Sequence, residues 1–239
     1  MSTGGFESLA KGGGVFVALA LLINTIMTRI PRLFLPVLAF AASHMTALAS
    51  DVSSSAVVRE MNLARQNPSA YAVYLEDMRS SFNGRYIVLP GKTKIYTREG
   101  LGAVNDAIRF LYSAKSLPPL ALSEGMSRAA ADHCAAQAGG ATGHGNTARR
   151  INRHGRWAGS WGENISYGKT SARDIVIALI VDDGLPARKH RANIFAAKFN
   201  YAGAAYGSHA RYGSMCAIDF AGAYLERGGQ RTDTLVARR

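Results

Sequence analysis

The sequence predicts an α+β fold, with helices packed on a small antiparallel sheet. Three observations carry this. Helical periodicities come first along the chain, and the clearest β-prone runs come last. No regular alternation of strand and helix is present, so a parallel βαβ sheet is not expected. The 239 residues, 48% hydrophobic and 18% charged, suffice for one good-sized core but not for two large domains plus a leader.

The elements follow in order. Val57, Met61 and Ala64 recur at helical spacing after three serines. Asn67-Pro68 suits a second helix, with Asn67 as N-cap and Pro68 in the first turn. Between 80 and 100, Gly84, Pro90, Gly91 and Gly100 surround two short β-prone runs, Tyr86 to Leu89 and Lys94 to Thr97; these fit a small hairpin or a loop. Leu101, Val104, Ile108 and Leu111 mark another helix face, ended by Pro118-Pro119. Ser123 caps a helix through Ala129, Ala130, His133 and Cys134, which Gly139-Gly140 stops. Residues 141–168 are rich in Gly, Asn and Arg and carry Trp157 and Trp161. They predict an ordered loop region, because two Trp side chains seldom stay unburied. Ser171 and Asp174 form a capping box for DIVIALIVDD, a helix apolar nearly all round and therefore buried, with Gly184 and Pro186 beyond its end. Tyr201 to Tyr206 and Met215 to Phe220 are β-prone, and the tail from Glu226 is polar, basic and expected to fray.

Residues 1–49 read as a leader, 50–225 as the folded domain and 226–239 as the basic tail. Arg29 and Arg32, the apolar run from Leu33 to Ala42 and Ala47-Leu48-Ala49 have the form of a secretory signal peptide cleaved after Ala49. The expected location is therefore outside the cytoplasm, periplasmic or extracellular. Met27 stands just ahead of this unit as an alternative start. The rival is one long leader, or a membrane anchor from Val15 onward, although neither apolar run reaches the roughly 20 residues that a spanning helix needs.

The chain carries 28 Lys and Arg against 16 Asp and Glu, a formal charge of +12. Phospholipid headgroups, wall polymers and nucleic acid are all compatible with that charge. Nucleic acid ranks last, because the basic residues are scattered and an exported protein seldom meets it. Cys134 and Cys216 fit no zinc knuckle or redox motif; they either pair once or stay buried as thiols.

Three polar elements offer chemistry: Gly143-His144-Gly145, then Trp161-Gly162-Glu163-Asn164-Ile165, then Asp182-Asp183 with Lys189-His190-Arg191. Two imidazoles and a carboxylate are a workable zinc set with an open position for water, and a nearby Glu can take that water's proton. No G-x-S-x-G, H-E-x-x-H or phosphate loop is present.

These stretches, in order, resemble the CAP superfamily of cysteine-rich secretory proteins, venom antigens and plant pathogenesis-related proteins. The carriers are EMNLARQNPSAYA, LPPLALSEGMSRAAADHC, GHG, WGENISYG, LIVDDGLPARKHRANIF and YGSMCAIDFAG, spanning about residues 54 to 222. The resemblance implies a three-layer α-β-α sandwich with a central cleft lined by two His and two acids. Carried over by motif, these are His144, Glu163, His190 and, where the buried helix ends, Asp183, with Asp182 as the alternative. Zinc or another divalent cation would sit on His144 and His190, and Glu163 would be the water-activating base or a partner that fixes an imidazole. Glu163 could instead serve only to hold loop amides. His133 matches a family position but sits on an Ala-rich helix and reads as packing. The implied function is an exported module that binds a small ligand, lipid, sterol or wall component. The alternative is a divalent-metal-dependent hydrolase using the same cleft. The cysteine-rich C-terminal module of eukaryotic relatives has no counterpart here, so no channel or toxin activity is implied.

Overall fold

The computed structural model describes residues 52–227 apart from 89, 90 and 92. The leader, the alternative start and the residues after 227 lie outside the described residues. No described helix is long and apolar enough to cross a membrane.

Helix α1 (Ser54–Gln66) opens on the Ser53 hydroxyl, which accepts the Ala56 amide. Asn67 then caps α2 (Pro68–Asp77), as its pairing with Pro68 predicts. A 3-10 turn (Met78–Ser81) leads into β1 (Phe82–Asn83), β2 (Tyr86–Ile87) and β3 (Ile95–Tyr96). These three pair antiparallel in a small separate sheet, so the hairpin alternative is the one adopted. Helix α3 (Leu101–Ser113) and the short β4 (Ala121–Leu122) precede α4 (Glu124–Gln137), which Ser123 caps. After α5 (Thr147–His154) come β5 (Gly155–Tyr167), α6 (Ala172–Val181), α7 (Lys189–Ile194), β6 (Tyr201–His209) and β7 (Gly213–Glu226).

The main sheet has the order β4-β6-β7-β5. It is antiparallel except at its edge, where β4 meets β6 in parallel over two residues. Successive side chains of a strand face opposite ways, and β7 shows the consequence. Cys216, Ile218 and Phe220 join the larger core with α1, α2, α3 and α6. Met215, Ala217 and Ala221 face α4 and α5 through Ala129, Ala130, Met126 and Ile151. This is an α-β-α sandwich. Phe199 and Phe220 stack at 5.4 Å inside the larger core, and each such buried side chain stabilises the fold by about 1.5–3 kcal/mol. On the other side α4 lies so close to β6 that a methyl at Gly203 would run into the Ser127 backbone.

Arg65 fixes the first layer. It is 1% exposed, and its guanidinium donates to the carbonyls of Pro118, Ile194 and Ala196. It thereby joins α1 to the end of α7 and to the segment before β4.

Three expectations are corrected. Residues 141–168 are not all loop: α5 and the long β5 form there, because β7 supplies eleven paired positions that override the weak strand propensity of Gly and Asn. Trp161 is not buried; it is 41% exposed, edge-on to Trp157. Glu226 is not tail but the last residue of β7, where it accepts the Ser123 hydroxyl and the Gly125 amide at the start of α4. Cys134 and Cys216 are buried and unbridged, and burial pushes both thiols up from their ordinary pKa.

Candidate functional site

Glu163 and Asn164 are consecutive on β5 and so face opposite sides of the sheet. Glu163 turns toward α5. Its carboxylate accepts His144 Nδ1–H at 2.7 Å and the Thr147 hydroxyl at 2.9 Å, and it pairs with Arg150. The Arg150 guanidinium also donates to the His144 carbonyl at 2.7 Å, so loop and helix are clamped on one carboxylate. Burial opposes the Glu163 charge, but the His144 hydrogen bond and the Arg150 charge outweigh it and hold the carboxyl below the ordinary range. In return, the Glu163 hydrogen bond raises the His144 imidazole above its ordinary value.

Asn164 turns toward α7. Its amide donates to the His190 carbonyl at 3.0 Å and its oxygen accepts from Asn193 at 2.9 Å. His190 Nδ1–H is held by Asp182 at 2.7 Å, and the His190 amide donates to the other Asp182 oxygen at 2.9 Å. Asp182 ends α6 in the left-handed region, with φ 55°, which Asp tolerates better than most residues. Arg188 donates to the Asp182 carbonyl and pairs with Glu99, and that pairing, chiefly the hydrogen bond, lowers Glu99 to about 2. Arg191 donates to the Ile180 carbonyl and pairs with Asp106, closing the end of α6 against α3.

The expected polar groups assemble two by two, His144 with Glu163 and His190 with Asp182. The carboxylate that His190 meets is that of Asp182, the alternative. Asp183, the expected one, turns away and accepts the Arg98 and Glu99 amides at 2.7 and 2.8 Å. The left-handed residue at 182 is what separates the directions of the two neighbouring carboxylates. His133 is packing, as expected: it is 4% exposed, bonded to the Gly143 carbonyl, and burial lowers its pKa. Each site imidazole is anchored at Nδ1, which leaves Nε2 as the outward atom, the arrangement metal-binding histidines use. Among the described residues, however, no group of three or more His, Cys, Asp or Glu is arranged to hold a metal.

Sequence reasoning missed the supports. Arg150 and Arg188 were visible only as general basicity, and Arg191 only as the neighbour of His190. Asp219 lies opposite Glu163 on β7, is fully buried, and neither oxygen has a partner within hydrogen-bonding geometry. Burial and the neighbouring Glu163 charge raise it well above the ordinary carboxylate range, which favours its neutral form. Its signal was an acid inside the apolar run CAIDFA.

Residues 59–220, well over half the chain, match the model of the CAP, or cysteine-rich secretory protein, family, and the chain belongs to that family. Among solved structures it is similar to a cysteine-rich secretory protein of Staphylococcus aureus subsp. aureus Mu50, at 12% identity and a TM-score of 0.34. That match covers 57% of this chain and 42% of the other, so the chain spans less than half of that protein. No significant match was found among curated proteins.

Proposed function

We propose that this CAP-domain protein is exported and binds a small polar-headed ligand, a lipid or a wall component, through the His144 side of the β5 edge. One observation carries the reading. The His144 side chain is 55% exposed while its Glu163 anchor is 1% exposed, so a fixed buried carboxylate presents an accessible, polarised imidazole. The raised pKa of His144 suits it to meet an acceptor or an anion. The test is a binding screen of purified protein against phospholipid, sterol and wall-fragment panels, repeated with His144→Ala. The reading expects one class to bind and the variant to lose at least about tenfold in affinity, near 1.4 kcal/mol. Equal binding by variant and parent would refute it.

The double Nδ1–carboxylate arrangement favours a second reading, a divalent cation on the outward Nε2 atoms. A resident zinc site takes three or four protein ligands, and the described side chains offer no such group. A cation here would draw the rest of its shell from water or ligand. Glu163 and Asp182 would orient its imidazoles, and zinc would supply the acid that a hydrolase needs. Metal content of the purified protein decides. Zinc bound in proportion to protein, and lost in His190→Ala, supports the hydrolase alternative; no bound zinc removes it.

A further inference from the structure

The small sheet of β1, β2 and β3 has one inward and one open side. Phe82 and Ile87 are paired in register and half-buried, and Phe82 packs on the larger core. Thr97 is buried as well, its amide and hydroxyl both donating to the Arg85 carbonyl. Side chains alternate along a strand, so the other side carries Asn83, Tyr86, Val88, Lys94, Tyr96 and Arg98, all of them exposed. The open side of an antiparallel sheet is commonly polar. Here Tyr86, Val88 and Tyr96 are 45%, 36% and 57% exposed, and the two tyrosine rings meet edge-on at 5.5 Å.

The charge around these rings has one sign. From Met78 to Arg98 the chain carries Arg79, Arg85, Lys92, Lys94 and Arg98 and no acid. Arg79, Arg85, Lys94 and Arg98 are exposed, and none forms an ion pair among the described residues. Arg150, Arg173, Arg188 and Arg191, by contrast, are each matched by a carboxylate. The acids bonded at the base of the sheet are engaged there: Asp183 accepts the Arg98 and Glu99 amides, and Glu99 pairs with Arg188. They fasten the sheet to the corner between α6 and α7 and leave its open face unneutralised.

We infer that this face is a docking surface for an anionic phospholipid bilayer. Tyrosine favours a boundary where its ring is in an apolar layer and its hydroxyl is wet. Lysine and arginine lay apolar stems along such a boundary and reach lipid phosphates with their charged ends. A soluble polyanion would engage the cations and leave Tyr86, Val88 and Tyr96 in water. The face shares no residue with the His144 site, so its failure leaves the His144 reading standing.

The test is co-sedimentation of the purified full chain with vesicles of phosphatidylglycerol and phosphatidylcholine in equal parts, against vesicles of phosphatidylcholine alone. Binding should be about tenfold tighter to the anionic vesicles and should weaken as salt rises. Lys94→Glu should weaken it by about tenfold, and so should the double variant Tyr86→Ser with Tyr96→Ser. Arg211→Glu makes the same charge change on the turn between β6 and β7, where Arg211 is exposed, and should alter binding by less than about threefold. The leader is common to parent and variants, so the differences report on this face, and near-UV circular dichroism verifies that each variant folds. Binding in Lys94→Glu equal to the parent, or an equal loss in Arg211→Glu, overturns the proposal. A loss in Lys94→Glu with none in the tyrosine variant assigns the face to a soluble polyanion and overturns it too. No binding to the anionic vesicles overturns it in favour of an acidic protein partner.

Discussion

The two His–acid pairs share one bond, Nδ1–H to carboxylate at 2.7 Å, and differ in everything around it. In His144–Glu163 the acid is the rigid partner. Glu163 is buried on a long strand and locked by Arg150 and Thr147, while its imidazole stands on a loop, 55% exposed. In His190–Asp182 both partners are confined. The His190 side chain is 19% exposed, and Asp182 takes two donors from the same residue across the α6–α7 corner. The first pair presents an imidazole to solvent. The second braces a corner and only secondarily offers a nitrogen. Similar motifs in a sequence can thus serve different physical tasks, and the supporting charges decide which.

That contrast can be broken by mutation. Glu163→Ala should be the most damaging change, because it leaves Arg150 buried without its counter-charge; a loss of about 3–5 kcal/mol is expected in denaturant unfolding. Asp182→Ala should cost less, about 2 kcal/mol, from two lost hydrogen bonds and a left-handed Ala. Asp182→Gly should recover about 1 kcal/mol of that, since glycine accepts the left-handed conformation freely. Equal losses for Glu163→Ala and Asp182→Ala would erase the distinction. Asp183→Ala, which removes only the acceptor of the Arg98 and Glu99 amides, should cost about 1 kcal/mol and leave the His190 signals in place.

The pH dependence sharpens the comparison further. The folded pKa of His144 is raised, so its contribution is complete below the unfolded value of about 6.5 and is lost as pH rises through the folded value. The folded pKa of Glu163 is depressed, so its contribution is complete above about 4.5 and is lost as pH falls through the folded value. The pair should therefore stabilise most between these limits. His133 acts oppositely, losing stability as pH falls below about 6.5, because burial disfavours its charged form. Residue-resolved NMR titration separates the two imidazoles, and Glu163→Gln should lower the His144 midpoint. The smallest effect belongs to Asp219→Asn. A neutral, isosteric side chain replaces a carboxyl whose charged form burial disfavours, so stability should stay within about 1 kcal/mol.

The helices were legible because their caps are local: Ser53, Asn67, Ser123 and Ser171 each accept a first-turn amide within three residues. The strand β5 was not, because its partner lies some sixty residues later and its register shifts between Ala158 and Trp161, which disrupts the alternation that marks a strand. The identity of the second acid was illegible for a related reason. Successive helical residues point about 100° apart, so the direction of each carboxylate at 182 and 183 depends on where the helix unwinds, and one left-handed residue sets that. Asp219 was hidden by its neighbours: an acid in CAIDFA becomes informative only once β7 lies against Glu163.

The most direct measurement of the account is the tautomer of His144 and His190, read from long-range proton–nitrogen correlations on the imidazoles above their pKa. Both rings should carry the neutral-state proton on Nδ1, facing Glu163 and Asp182, with Nε2 bare. A proton on Nε2 of His144 would contradict the central claim that a buried carboxylate anchors this ring and turns its free nitrogen outward.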